Sequence, residues 1–251
     1  MSRKRLPLRD PRTVARDIPG FMDVLFPRLS GGLVAYLNRG IFSYANLAEI
    51  PDALVAASQL QGSMLFELSV VRAERIIEEN EDISWAACLP VALARQQRHF
   101  DAKMPHEVCA NDIMLADHAA RNLVTAIKEV ADQEGVEVIQ VAPRLRGFGW
   151  IGSGKVDFVV GNLLVEVKHT DRNFIAGDFR QVLMYWLLKF ASSIEGGEAA
   201  WDTCILLNPR RNRALRLDFD ALLKSASGGL SRVEIYELLR SVVGHDVDEM
   251  R

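Results

Sequence analysis

The chain has 251 residues, 49% of them hydrophobic, enough for one large or two small domains with packed cores. Its 30 basic and 33 acidic residues give a net charge of −3, which excludes an overall basic nucleic-acid coat, so any affinity for phosphate has to be local or supplied by partners. Cys88, Cys109 and Cys204 are widely separated, odd in number and without a CxxC spacing; with no membrane-length apolar run and no signal-peptide region, the expectation is a soluble cytoplasmic protein with reduced thiols.

In chain order, Arg3, Lys4, Arg5, Arg9, Arg12 and Arg16 against the single acid Asp10 make a basic start, expected as a solvated terminus. Segments from Leu54 to Ile77 and from Trp85 to Phe100 carry apolar residues at three- and four-residue spacing, and Pro7, Pro11, Pro19, Pro27, Pro51 and Pro90 divide this part into several short helices. Residues 1–105 carry no recognisable chemistry. They are expected to form a helical N-terminal domain that binds a partner or positions DNA.

Pro105 and His106 mark the boundary of a second domain, 106–251. It begins with a long helix over 111–133, capped by Asn111 or Asp112 and ended by Gly135. A strand over 136–141 and a loop from Pro143 to Gly152, rich in glycine and arginine, lead to a hairpin over 155–168. A helix over 176–190 closed by Gly196-Gly197, strands over 203–207 and 214–219, and a helix over 231–243 follow, ahead of an acidic tail. This order predicts an α/β domain with a small mixed sheet flanked by helices.

The hairpin carries the chemistry. Gly161-Asn162 separates two alternating, β-branched runs and signals a two-residue loop. With Val160 and Leu163 flanking it, Asp157 faces Glu166 and Lys155 faces Lys168. Val156, Phe158, Val160, Leu163, Val165 and Val167 then lie together on the opposite, apolar face. Directly opposed carboxylates repel, and a divalent cation between them reverses the sign of that interaction. The competing reading is an edge hairpin whose solvent face happens to hold these charges.

Asp157, Glu166 and Lys168 in the spacing Asp-x8-Glu-x-Lys resemble the PD-(D/E)xK nuclease superfamily. Gln181 and Tyr185, i and i+4 on the following helix, resemble the QxxxY motif of its RecB-like branch. The resemblance covers roughly residues 106–220, and Val156 stands where the motif name has proline. It implies a restriction-endonuclease-like core, a Mg²⁺ (or Mn²⁺) ion on Asp157 and Glu166, and a Lys168 that positions or activates the attacking water. It also implies that Gln181 and Tyr185 contact substrate or orient the catalytic groups. The implied activity is DNA hydrolysis within a bacterial DNA-processing or anti-phage system, with DNA and other subunits such as an ATPase or helicase as partners, no membrane, and homo-oligomer formation left open. Family members often place a further acid on the preceding helix. Asp117, at the edge of the stripe Ile113, Ala116, Ala120, Leu123, Val124, Ile127, Val130 and Ala131, is the candidate third ligand, against a simple pairing with Arg121.

His118 lies off that stripe, and His169 on the strand face opposite Lys168. Lys155, Arg144 and Arg146 are open to phosphate contact or plain solvation. Gly149-x4-Gly154-Lys155 begins like a P-loop, but Val156 follows where Ser or Thr is needed, and a strand follows where a helix is needed, so an ATPase is rejected. The alternative function is a nuclease-fold module without catalysis that binds DNA or a protein partner.

Overall fold

Heptad-like apolar spacing and a strong cap set the longest element. In the computed structural model, which describes residues 7–79, 83–97 and 102–243, that helix is α7 (Ala110–Glu134). Cys109 caps it, with Asp112 reaching back to the Cys109 N–H, and Gly135 ends it at φ +65°. Arg3, Lys4 and Arg5, the end of the helix expected to reach Phe100, and the acidic tail after Val243 lie outside the described residues.

Before α7 come α1 (Pro11–Asp17), α2 (Phe21–Leu25), α3 (Gly31–Leu37), α4 (Asp52–Ala56), α5 (Gly62–Glu79) and α6 (Trp85–Gln96). After it come β1 (Ile139–Val141), β2 (Arg144–Leu145), β3 (Gly154–Lys155), β4 (Phe158–Val160), β5 (Leu163–Val167) and α8 (Ala176–Ile194). The chain continues through β6 (Thr203–Asn208), β7 (Arg213–Asp218), α9 (Phe219–Ser227) and α10 (Arg232–Val243). The strands form a five-stranded mixed sheet in the order β1-β4-β5-β6-β7 and a separate two-stranded ribbon, β2-β3. Only β5 and β6 run parallel, because α8 carries the chain across between them; the other neighbours are antiparallel. Among the described residues no helix is long and apolar enough to cross a membrane.

The β4–β5 hairpin has the expected register, with Val160 opposite Leu163 and Phe158 opposite Val165. Gly161 takes φ +56°, and a Cβ there would come within 2.9 Å of Val136 Cγ2, so both backbone and space demand glycine. Three features depart from expectation. The ladder ends at Phe158, and the chain bends at Asp157, which puts Val156 in the same core as Val159 and Leu164. Lys155 leaves the hairpin altogether and pairs with Arg144 across the ribbon. Finally, β5 is the central strand and both sheet faces are covered, which rules out an edge hairpin with a solvated polar face.

One sheet face packs Phe158, Val160, Leu163, Val165 and Val167 against α7 and α5. The other packs Val159, Leu164, Cys204 and Leu206 against α8. A third core joins α5, α6 and the first half of α7. The helices expected as an N-terminal domain ending at residue 105 do not have a core to themselves. Val14, Phe21 and Leu25 from α1 and α2 share the core of α8 and α10, while Val70 and Ala73 of α5 lie under the sheet.

Candidate functional site

At the open end of the hairpin, the bend frees the Asp157 side chain from the strand alternation. Its Oδ2 accepts the Val167 N–H at 2.8 Å, where a regular ladder would present a carbonyl. Strand β5 continues past this point, since the Lys168 N–H donates to Leu207 O at 2.7 Å. Glu166 and Lys168 therefore stay on one face, two residues apart, beside Asp157.

Glu166 Oε1 accepts from Lys168 Nζ at 2.7 Å and from Gln181 Nε2 at 2.5 Å. Gln181 Oε1 accepts from Lys168 Nζ at 3.0 Å and from Arg16 Nη2. Gln181 Nε2 also donates to Tyr185 OH at 2.9 Å, which accepts Arg12 Nε at 2.9 Å. The amide orientation is fixed by chemistry, since cations need Oε1 and the carboxylate needs the NH₂ group. Glu166 Oε2 is buried and has no hydrogen-bond partner among the described residues. Glu166 is 2% exposed, Gln181 and Tyr185 1% each, while Asp157 and Lys168 keep 7% and 8%, so water reaches the site at that end.

Burial, then repulsion from Glu166, pushes the Asp157 carboxyl up to about 7, partly opposed by Arg12 and Lys168. Burial and the Glu166 charge also push the Tyr185 phenol up and keep it neutral. Burial disfavours the Arg12 cation, but Tyr185, Asp157 and Glu166 together outweigh it and hold the guanidinium charged. From the far side Arg95 of α6 also lies within electrostatic reach of Asp157.

The structure thus brings together Asp157, Glu166, Lys168, Gln181 and Tyr185. It does not bring in Asp117, expected as a third metal ligand. Arg72 Nε bonds its Oδ1 at 3.2 Å and Arg121 Nε its Oδ2 at 2.7 Å, so the carboxylate is already charge-matched. Among the described residues no group of three or more His, Cys, Asp or Glu side chains comes together to hold a metal. Of the loop arginines, Arg144 bonds Ser153 and Arg146 pairs with Glu195. His118 is partly exposed on α7. His169 is shielded at both ring nitrogens, and burial followed by repulsion from Arg210 lowers it to about 3.

Arg12 and Arg16 are the functional candidates that the sequence reading left in a solvated arm. They are i, i+4 neighbours on α1, whose N-cap Asp10 accepts from Arg12 N and Thr13 N and whose first residue is Pro11. Asp-Pro followed by two arginines four apart was a legible helix start with a basic face. No protein-family model matches this chain, and no curated protein or solved structure matches it.

Proposed function

We propose that this chain is a Mg²⁺- or Mn²⁺-dependent nuclease that hydrolyses phosphodiester bonds of DNA, its mixed α/β fold being a restriction-endonuclease-like core. The observation that carries this reading is the bare, buried Oε2 of Glu166 beside the Asp157 carboxylate, with Lys168 and Gln181 bonded to the same acid and Tyr185 bonded to Gln181. A buried carboxylate oxygen without a donor is costly, and a cation removes that cost. The residues fit a hard divalent ion. Mg²⁺ is commonly held by one or two carboxylates, with waters and substrate phosphates completing its shell, so two acids suffice without Asp117.

When bound, the metal would neutralise charge developing on the phosphate and make water a better nucleophile. Asp157 and Glu166 would hold it. Lys168, anchored by Glu166 and Gln181, would hold the attacking water and lend positive charge to the transition state. Tyr185 and Gln181 would keep the lysine and Glu166 in place. The assembly in which it acts is read as a DNA-processing or anti-phage system with other protein subunits.

A second reading is favoured by the near-complete burial of Glu166, Gln181 and Tyr185, namely the same fold binding DNA or a partner without cutting. Cleavage of single-stranded DNA, duplex DNA and RNA with Mg²⁺ or Mn²⁺ separates the two. The expected result is DNA cleavage by the wild type, reduced at least about 100-fold in Asp157→Ala and in Lys168→Ala. Cleavage that persists in both variants sinks the site. Mn²⁺ uptake with no cleavage of any substrate supports the binding module.

A further inference from the structure

The hairpin, the lysine and the Gln–Tyr pair leave one strongly placed cation unexplained. Arg12 reaches the site from a helix 145 residues upstream of Asp157 in the sequence. Three arrangements seat that helix. Val14 and Ala15 are buried in the core shared with α8. Arg9 N donates to Trp150 O at 3.1 Å and Arg9 O accepts from Gly152 N at 2.8 Å, which adds the preceding residue beside the ribbon's turn. Gly152 and Gly154 leave room for it, since a Cβ on them would come within 3.2 Å of Arg9 O and 3.1 Å of Pro11 Cγ.

The way Arg12 is bonded separates two roles. An arginine that only neutralises buried acids turns its fork onto a carboxylate, as Arg95 does onto Glu74, at 2.9 and 2.5 Å. Arg12 does otherwise. Its Nε donates to the neutral Tyr185 hydroxyl, and among the described residues neither of its terminal nitrogens has a hydrogen-bond partner. Arg12 is partly exposed as a residue, and its unpartnered terminal nitrogens are not among the fully buried polar atoms, so the fork keeps a narrow opening to solvent. Tyr185 is in turn bonded to Gln181, and Gln181 to Glu166, so Arg12 stands three hydrogen bonds from the proposed metal ligand. Charge points the same way. Arg12, Arg16 and Lys168 outnumber Asp157 and Glu166 by one, and a divalent ion widens that excess in favour of an anion.

We propose that Arg12 is a phosphate-binding residue of this site, its terminal nitrogens gripping the non-bridging oxygens of a backbone phosphate while Tyr185 fixes the plane of the fork. Arginine suits this because its planar fork matches phosphate with two parallel hydrogen bonds, which lysine does not offer. The inference rests on the nuclease reading of the same site.

The test uses the full chain, a short fluorescein-labelled single-stranded oligodeoxynucleotide in Ca²⁺, where binding is read without cleavage, and Mn²⁺ titration by calorimetry. Arg12→Ala is expected to weaken oligonucleotide binding at least about tenfold. The slope of log affinity against log salt should fall by about 0.7, one single-strand phosphate contact. Mn²⁺ uptake and circular dichroism should stay at wild-type levels. Arg12→Lys is expected to restore the slope but not the full affinity, and Tyr185→Phe to lose affinity with the slope kept. These two carry the test if Arg12→Ala fails to fold. Wild-type affinity and slope in Arg12→Ala, with Mn²⁺ uptake intact, overturn the role of the arginine and leave the metal site standing. Loss of Mn²⁺ uptake together with DNA binding in that variant makes Arg12 part of the metal site's scaffold and also overturns it. A wild type that takes up no Mn²⁺ and binds no oligonucleotide removes both readings.

Discussion

Among the described residues, an acid–base cluster between α5, α6 and α7 and the one at the candidate site are built on opposite rules. In the α5–α6–α7 cluster every oxygen of Glu74 and Asp117 has an arginine donor: Arg95 takes both oxygens of Glu74, and Arg72 and Arg121 take one each of Asp117. In the β5–α8–α1 cluster two donors crowd onto Glu166 Oε1 while Oε2 has none among the described residues, and the Arg12 fork bonds neither carboxylate. A saturated cluster has nothing further to bind and serves to join helices. An unsaturated one keeps a vacant acceptor and a free donor within one hydrogen-bonded network, which costs stability and suits a bound cation and anion. Burial and charge alone do not tell the two apart; the count of lone pairs and N–H groups does.

The contrast can be broken most forcefully at Glu166. Glu166→Gln is expected to abolish Mn²⁺ uptake by calorimetry and to cut DNA cleavage at least about 100-fold, with thermal stability kept or raised because repulsion with Asp157 is relieved. Undiminished Mn²⁺ uptake would end the metal assignment. Its counterpart is Glu74→Gln, which leaves Arg95 without its bidentate partner. A loss of about 1–3 kcal/mol in urea unfolding is expected, with Mn²⁺ uptake unchanged. If uptake falls with Glu74 as it does with Glu166, the two clusters are not distinct.

A smaller effect lies in pH. The Asp157 carboxyl titrates at about 7 in the folded metal-free protein and at its ordinary 3.8 when unfolded. Between those values the native state holds a proton that the unfolded state has released, so this residue's contribution to stability falls as pH rises. Relative to wild type, Asp157→Asn should therefore gain stability from pH 4 to 7, by at most about 1.4 kcal/mol per pH unit. His169 works in the opposite sense. Held neutral down to about 3, it withdraws stability as pH drops below 6.5, so His169→Leu gains on the wild type toward acid. Urea midpoints across pH 4–7 check both, and parallel curves for variant and wild type would refute the assigned environments. The smallest effect is at Arg146, whose exposed pair with Glu195 should be worth under about 1 kcal/mol. Arg146→Ala should leave the salt dependence of oligonucleotide binding unchanged; a reduced slope would make that loop a phosphate clamp after all.

Local chemistry made much of this legible from residues alone. Gly161-Asn162 and the alternation on either side set the hairpin register, and the apolar stripe with Gly135 placed α7 to within a residue at each end. What depended on distant partners was not legible. Asp117 sits at the stripe's edge as the wheel implies, but Arg72, 45 residues away on α5, decides its role. The residues alone left open the competing reading of Asp157, Glu166 and Lys168 as a solvated face, because it is α1 and α8 that cover them. Val156 changed sides because the bend at Asp157 interrupts the alternation, and no propensity marks that bend. Arg12 was assigned to a loose arm because its partner, Tyr185, lies 173 positions further on.

That separation has a consequence in time. The site draws its guanidinium from α1, its acids from the hairpin and its amide and phenol from α8, with bonds closing loops of 173 and 165 residues. Contacts of such span form late, after local helices and the hairpin have condensed. During synthesis the ribosome releases Arg12 first and Tyr185 last, so the free fork and the bare carboxylate meet only when the sheet and α8 are already in place. A growing or partly unfolded chain carries all the ingredients of the site without the site itself.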